Sequence, residues 1–247
     1  MKRWRFILVV FVLLLARSHH AVPQETPTPA TKNDVAGKVE MDRGRFLFFS
    51  GIGPAENVVV YLENPAIEPP PALSTPLQMI QRSKRFEPHI VVVTPGTVID
   101  FPNQDPIFHN VFSPYYGPPF DLGLYKPGDS KSVDFKVPGV TWVFCDIHQE
   151  MSGIVLTLGT PYFAVTDRQG AFTIRGVPAG TYRLSVWYDE ASPDEVAKAT
   201  RTVEISPSTR QLPLVRLSAQ GFVPIPHKNK LGKDYPPPAQ DPRYRDL

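Results

Sequence analysis

Short strand-like runs separated by Pro-Gly turns dominate the middle of this 247-residue chain. In such a turn the proline presets φ and the glycine accepts a positive φ, so the chain reverses between strands. No stretch of residues 77–159 shows the apolar period of a helix. This spacing predicts an all-β fold, and a β-sandwich rather than an α/β protein. The runs are Ile90–Val93, Thr97–Phe101, Ser132–Phe135, Thr141–Phe144 and Gly153–Leu158, and the turns are Pro95-Gly96, Pro127-Gly128 and Pro138-Gly139.

The distribution of β pattern and proline divides the rest of the chain. Strand, turn and strand follow one another at Tyr162–Thr166, Asp167–Gly170 and Ala171–Ile174, and Thr181–Tyr188 alternates between apolar and polar residues. The 29 prolines are spread unevenly, which indicates that some segments are linkers. We expect a disordered lead-in (19–34), a β segment (35–63), a first β domain (77–159), a second β-sandwich (160–217) and a proline-rich tail (218–247).

The N-terminus has the pattern of a secretory signal peptide. A basic stretch, Met1–Arg5, precedes the apolar run Phe6–Ala16, which is too short to span a membrane. We predict a signal peptide over residues 1–18 and a periplasmic or secreted protein of a bacterial cell envelope; an uncleaved anchor is the alternative. Cleavage would change the formal net charge from +2 to −2. A nearly neutral chain argues against binding to nucleic acid, which requires a concentrated basic face.

Cys145 is the only cysteine of the chain, so no internal disulfide can form. A lone thiol in an oxidising compartment is a liability unless it is buried and inert or bound to a metal. His148 and Met151 follow Cys145 at intervals of three residues, and His109 stands 36 residues before it. A tight loop between two strands can point the first three side chains into one pocket, with His109 coming from a separate strand or loop end.

One thiolate, two imidazoles and one thioether are the ligands of a mononuclear type 1 copper site. Zinc would more naturally recruit a second cysteine or a third histidine. A dinuclear copper centre would need two bridging thiolates, and this chain has one. The sequence therefore predicts one type 1 copper ion, and another metal or none is the alternative. The predicted ligands are His109, Cys145, His148 and Met151.

These motifs resemble a known family. Phe101-Pro-Asn103, Asp105, His109-Asn-Val111 and the Phe144–Met151 loop look like a blue copper cupredoxin of the plastocyanin/azurin class. The short loop is most similar to amicyanin, and the whole run is similar to bacterial periplasmic proteins of the methylamine-utilisation type. The resemblance implies a cupredoxin Greek-key β-sandwich. It also implies three equatorial ligands, His109, Cys145 and His148, with Met151 as the axial one.

The resemblance further implies a supporting role for Asn110, whose amide would pin the ligand loop through backbone hydrogen bonds. An ordinary turn residue is the alternative. Asp146 and Glu150 depart from the family pattern, and we expect both carboxylates to face solvent. His89 is expected to be a strand or surface residue, and His227 to be solvent-exposed in the tail.

The second β region resembles a carboxypeptidase-regulatory or transthyretin-like β-sandwich, through Thr166–Phe172 and Val177–Tyr182. Residues 35–63 resemble the opening strands of such a module, so the first domain could be inserted within it. Relatives of this fold are described as carbohydrate-binding-like, which implies a possible carbohydrate or protein ligand. Three aromatic residues could form a sugar platform or belong to the core: Tyr182, Trp187 and Tyr188.

These features favour an exported, non-enzymatic protein that transfers one electron at a time, with a periplasmic or membrane redox protein as its partner. The alternative is a cell-envelope protein for copper handling, or for carbohydrate or protein interaction, in which the metal is structural. An oxidase or reductase is disfavoured, because such catalysis needs an open coordination position or further copper centres.

Overall fold

The computed structural model describes residues 32–44, 51–67, 74–114, 119–219 and 227–235. Across these ranges the chain forms eighteen strands and one short helix, so the predicted all-β class is confirmed. The predicted signal peptide (1–18), the lead-in up to residue 31 and residues 45–50 of the predicted β segment lie outside the described residues. Within the described part, no helix has both the length and the apolar character needed to cross a membrane.

Ten strands between residues 77 and 157 build a first sandwich around one apolar core. Their bounds are β4 (Leu77–Gln78), β5 (Ile80–Arg82), β6 (Arg85–Glu87), β7 (Ile90–Val93), β8 (Thr97–Pro102), β9 (His109–Ser113), β10 (Phe120–Tyr125), β11 (Ser130–Phe135), β12 (Gly139–Phe144) and β13 (Ser152–Thr157). A five-stranded sheet has the order β10-β9-β12-β13-β7, and a three-stranded sheet has the order β11-β8-β4. Both sheets contribute buried side chains to the core, and β5 and β6 form a separate hairpin.

Eight strands from the two ends of the described chain build a second sandwich. Their bounds are β1 (Lys32–Asp42), β2 (Ile52–Pro54), β3 (Val59–Glu63), β14 (Phe163–Val165), β15 (Ala171–Pro178), β16 (Gly180–Trp187), β17 (Arg201–Ile205) and β18 (Val215–Ser218). One sheet has the order β15-β1-β18 with β2 paired to β1, and the other has the order β14-β3-β16-β17. The chain therefore leaves this sandwich after β3 and returns to it at β14.

The boundaries of the second sandwich differ from the sequence analysis in two places. β1 begins at Lys32, inside the predicted lead-in, because Lys32 and Asn33 already pair with β15. The other difference is the helix α1 (Pro193–Ala199), which was not predicted. Its start signals were present, since the Ser192 side chain accepts the Glu195 N–H and proline occupies the first turn.

Two of the predicted Pro-Gly turns have the geometry that their residues favour. In Thr94–Thr97 the Thr97 N–H donates to the Thr94 carbonyl at 3.2 Å, and Gly96 has φ +84°. In Lys126–Asp129 the same bond measures 3.2 Å, and Gly128 has φ +83°. Proline followed by a glycine at positive φ is the signature of a type II turn. These turns set the ends of β7, β8, β10 and β11.

The two sandwiches share a third apolar cluster between them. Along β7, Val91 and Val93 face the core of the first sandwich, whereas Ile90 and Val92 face this shared cluster. Val59 of β3 meets it from the second sandwich. A strand buried on both faces is expected to be apolar throughout rather than alternating. Two-sided burial therefore explains the uninterrupted apolar run of β7.

The three aromatic residues considered as a sugar platform do not form one. Tyr182 and Tyr188 are buried in the core of the second sandwich. Trp187 lies on the opposite face of β16, where its ring meets Trp142 of the first sandwich at a centroid distance of 6.5 Å. Alternation along the strand thus assigns all three side chains to packing.

The shared cluster predicts a large effect for a single core truncation. Ile154 is fully buried there, so Ile154→Ala should lower the free energy of unfolding by about 2–5 kcal/mol. Ile52 is 53% exposed, and Ile52→Ala should change it by no more than about 0.5 kcal/mol. Denaturant unfolding of both variants measures the difference. Equal effects would contradict the placement of Ile154.

Candidate metal centre

A seven-residue loop between β12 and β13 carries three of the four predicted ligands, and we call residues 145–151 the ligand loop. The antiparallel ladder of β12 and β13 ends at the pair Phe144–Ser152. Beyond it, the Cys145 N–H donates to the Met151 carbonyl at 3.2 Å, and the Met151 N–H donates to the His148 carbonyl at 3.1 Å. The loop is thus closed by its own backbone immediately after the ladder.

His109 reaches the ligand loop because its strand lies beside β12. β9 begins at His109 and pairs antiparallel with β12 at Phe112–Phe144. The Nδ1 atom of His109 lies 3.8 Å from Cys145 Sγ and 3.1 Å from Nδ1 of His148, which lies 3.5 Å from the same sulfur. All three potential ligand atoms lie within 4.8 Å of one another. The structure therefore brings one thiol and two imidazoles to a single point.

Met151 lies in the same core, and its role as a metal ligand remains a prediction. Its side chain is fully buried and belongs to the apolar cluster that includes Cys145. Its backbone closes the ligand loop in the manner just described. The chain thus places a thioether-bearing residue at the end of the loop, where the sequence analysis expected the axial ligand.

Burial controls the protonation of all three converging groups. It lowers the pKa of His109, and Asp105 partly opposes that shift. Burial, with the charges of His109 and Lys84, lowers the pKa of His148 to about 4. Burial also raises the pKa of the Cys145 thiol, although backbone N–H groups that hydrogen-bond the sulfur work against it. Both imidazoles are consequently neutral at pH 7, with Nδ1 directed at the thiol.

Asp105 fixes the orientation of His109, a role that the sequence analysis did not assign. Its Oδ2 lies 2.7 Å from Nε2 of His109, and the carboxylate also accepts the backbone N–H groups of Ser83 at 2.5 Å and Lys84 at 2.9 Å. Ser83 and Lys84 form the tight turn of the β5–β6 hairpin, with φ of +52° and +55°. The carboxylate therefore ties this hairpin turn to the far side of the imidazole and leaves Nδ1 for a metal.

The environment of Asp105 keeps it ionised. Burial alone would raise the pKa of this carboxyl, but the hydrogen bonds from Lys84, His109 and Ser83 outweigh that effect and lower it. An ionised carboxylate can accept all three donors at once, whereas a protonated one would lose acceptor capacity.

Asn110 links β9 to the ligand loop. Its Oδ1 accepts the Asp146 N–H at 3.3 Å, and its Nδ2 donates to Oδ1 of Asp121 at 2.6 Å. The expectation that Asp146 faces solvent is wrong, because its carboxylate accepts the backbone N–H of Lys230 at 2.9 Å. Glu150 is exposed, as expected.

The prediction that His227 is solvent-exposed in an extended tail is also wrong. Its ring stacks on Phe144 with centroids 4.0 Å apart, and its Nε2 lies 2.7 Å from the Gln149 carbonyl. No local pattern could have shown this, since the contact joins residues 78 positions apart. His89, by contrast, is half-exposed and lies outside the cluster, 3.6 Å from a carboxylate oxygen of Asp189.

The donor set of this cluster fits copper. Two neutral imidazoles and one thiol, with a methionine in the same core, are the soft and borderline ligands typical of a mononuclear copper centre. Among the described residues, this is the cluster of three or more histidine, cysteine or acidic side chains that could hold a metal ion. Asp105 is already hydrogen-bonded to Nε2 of His109, so its carboxylate supports that imidazole.

Comparisons with known proteins concern parts of this chain. A family model described as polysaccharide lyase family 4, domain II, matches residues 147–212, about a quarter of the chain, from within the ligand loop through β17. A search of the curated proteins gave no match.

Three of the similar solved structures are a nitrite reductase, a cupredoxin and an amicyanin. A copper-containing nitrite reductase from Thermus scotoductus is 24% identical over 34% of this chain, with a TM-score of 0.33, and the match covers 22% of that chain. A purple cupredoxin from Nitrosopumilus maritimus is 22% identical over 33% of this chain and 99% of its own, with a TM-score of 0.31. Amicyanin from Paracoccus versutus is 16% identical over 35% of this chain and 84% of its own, with a TM-score of 0.32.

The role of Asp105 predicts a loss of metal affinity on charge removal. Asp105→Asn should weaken copper binding roughly 10- to 100-fold, because the amide holds His109 and the hairpin turn less well. Competition with a chelator of known affinity measures this change. Asp100→Asn is the control, since that carboxylate accepts a hydrogen bond from Ser132 instead. Equal affinities for the two variants would contradict the role of Asp105.

The lowered pKa of His148 predicts acid sensitivity of the metal-free protein. The unfolded chain takes up a proton on this residue below about pH 6.5, whereas the folded chain does so only near pH 4. Stability should therefore fall as the pH decreases through this window, and His148→Gln should flatten the dependence. Thermal unfolding of both proteins between pH 7 and pH 4 tests this, and an equal pH dependence in the two would contradict it.

Proposed function

We propose that this protein binds one type 1 copper ion and acts in one-electron transfer without catalysing a bond-making reaction. The ligands would be Nδ1 of His109, Nδ1 of His148 and Sγ of Cys145, with Met151 as the axial ligand. The observation that carries the proposal is the convergence of these three atoms within 4.8 Å in the buried core of a β-sandwich. Copper held by such a ligand set can cycle between Cu(I) and Cu(II) with little change in its ligands.

The chain's own residues would provide the rigidity that such a centre needs. The ligand loop is closed by two internal hydrogen bonds, and Asp105 is hydrogen-bonded to Nε2 of His109. Cys145 and Met151 are fully buried, which excludes water from the sulfur atoms. Hydrogen bonds from the backbone N–H groups of Asn110, Ile147 and His148 stabilise negative charge on the Cys145 sulfur. Little rearrangement would then be required when the charge of the centre changes.

The surroundings of such a centre are part of the same proposal. We propose a periplasmic or secreted protein with a cleaved signal peptide, whose partner is a periplasmic or membrane redox protein. The finer relationship, to the methylamine-utilisation-type cupredoxins with a carboxypeptidase-regulatory-like module, belongs here too. It is supported by the motifs of residues 101–151 and 166–182 and by the second sandwich.

A second candidate function is a cell-envelope interaction or copper-handling protein in which the metal is structural. The second sandwich favours it, because this unit is as large as the first one and contains none of the proposed ligands. Reversible cycling distinguishes the two candidates, since a structural copper would bind without passing electrons.

The experiment is reconstitution of the full chain with Cu(II), followed by absorption, EPR and voltammetry. We expect an intense visible band from thiolate-to-Cu(II) charge transfer and a reversible one-electron wave. Cys145→Ser should abolish the band because the thiolate is removed. A colourless copper complex would refute the type 1 assignment, and a coloured complex without a reversible wave would favour the structural metal.

A further inference from the structure

Residues 227–235, which we call the 227–235 segment, attach to the ligand loop at three points. The first is Tyr235, whose hydroxyl donates to the backbone carbonyl of Cys145 at 2.9 Å. Cys145 supplies the thiol of the proposed metal centre. The phenol thus holds the backbone of a ligand residue directly, from 90 positions along the chain.

The second attachment is His227, whose ring packs against the end of β12 and hydrogen-bonds to the ligand loop. The imidazole stacks on Phe144, the last residue of β12, with centroids 4.0 Å apart and planes 24° apart. Its Nε2–H donates to the carbonyl of Gln149, which follows the ligand His148, at 2.7 Å. Its Nδ1 lies 3.2 Å from the Tyr235 hydroxyl, so the two attachments also contact each other.

The third attachment is Lys230, which joins two carboxylates near Asn110. Its backbone N–H donates to Oδ1 of Asp146 at 2.9 Å, and its Nζ lies 2.9 Å from Oδ2 of Asp121 and 3.9 Å from Oδ2 of Asp146. Asp121 and Asp146 are also the two residues that Asn110 contacts through its side-chain amide. The ammonium group therefore completes a ring of contacts between β9, β10 and the ligand loop.

The 227–235 segment has enough internal structure to act as a rigid piece. The Asn229 side chain accepts the N–H groups of Leu231 and Lys233, each at 3.0 Å. Gly232, at φ +72°, donates to the Asn229 carbonyl at 2.9 Å. Lys228 and Asp234 form an ion pair across the turn. A segment with these internal bonds is already ordered, so it loses less conformational entropy when it contacts the ligand loop.

We propose that the 227–235 segment is a positioning element of the metal centre, which holds the ligand loop in its metal-binding shape through Tyr235, His227 and Lys230. It thereby slows copper release and contributes to the reduction potential. The part that concerns copper rests on the function proposed above, whereas the effect on the loop does not. Each attachment meets a residue of the loop or its base rather than the sandwich surface in general.

The experiment compares matched substitutions in the full chain. Tyr235→Phe removes one hydroxyl that donates to the Cys145 carbonyl, and Tyr182→Phe removes one that donates to the Pro178 carbonyl at 3.0 Å in the second sandwich. Lys230→Met removes the ammonium group that contacts Asp121 and Asp146, and Lys198→Met removes one that pairs with Glu195 on α1, outside the segment. Each pair thus removes the same chemical group inside and outside the proposed contacts.

Hydrogen exchange of the loop amides in the metal-free protein is the first readout. Loss of one hydrogen bond should speed the exchange of the Cys145 and Met151 amides roughly 2- to 10-fold in Tyr235→Phe and Lys230→Met. Tyr182→Phe and Lys198→Met should leave these two amides at the wild-type rate. Equal rates in the members of each pair would overturn the proposal.

The copper-loaded protein gives the second readout. Tyr235→Phe and Lys230→Met should release Cu(II) to a chelator roughly 2- to 10-fold faster and shift the reduction potential and the EPR spectrum, while the controls remain like the wild type. Unchanged release, potential and EPR spectrum in these variants would overturn the role in the metal centre. If the wild-type protein takes up no copper but the variants show the predicted exchange pattern, the proposed function is refuted and the positioning of the loop is supported.

Discussion

The pairing of β9 with β12 is the contact on which the proposed metal centre depends. The antiparallel register at Phe112–Phe144 places the first residue of β9 level with the loop that follows β12. His109 and Cys145 are 36 positions apart in the sequence, yet this register brings Nδ1 and Sγ to 3.8 Å. A slip of one residue would turn His109 to the other face of the sheet. Sheet register, more than any single side chain, therefore assembles the cluster.

Around this pairing, buried polar groups restrict the freedom of the proposed ligand residues. Asp105 lies 3% exposed and would be costly to bury without partners, but it accepts three hydrogen bonds and fixes His109 in return. Asn110 is fully buried and joins β9 to the loop and to Asp121. On the other side of the loop, the 227–235 segment supplies donors to two carbonyls and two carboxylates. The cluster is thus held by residues from several distant parts of the chain.

The sequence predicted what local chemistry determines. Strand positions followed from apolar runs and Pro-Gly turns, and the candidate ligands followed from residue types at short spacing around Cys145. It did not predict β1 from Lys32, the two-sided burial of β7, or the roles of Asp105, Lys230 and Tyr235. Those depend on which strands and loops become neighbours and on contacts such as the ion pair of Lys230 with Asp121, 109 positions apart. Spacing carries no information about partners that far apart.

The central claim is that three side chains from two separate places in the chain bind one metal ion. A crystal structure of the full chain loaded with Cu(II) tests it most directly. The account predicts a single copper ion bonded to Nδ1 of His109, Nδ1 of His148 and Sγ of Cys145, with the thioether of Met151 on its axis. Copper bound elsewhere, or bound without the Cys145 sulfur, would contradict it.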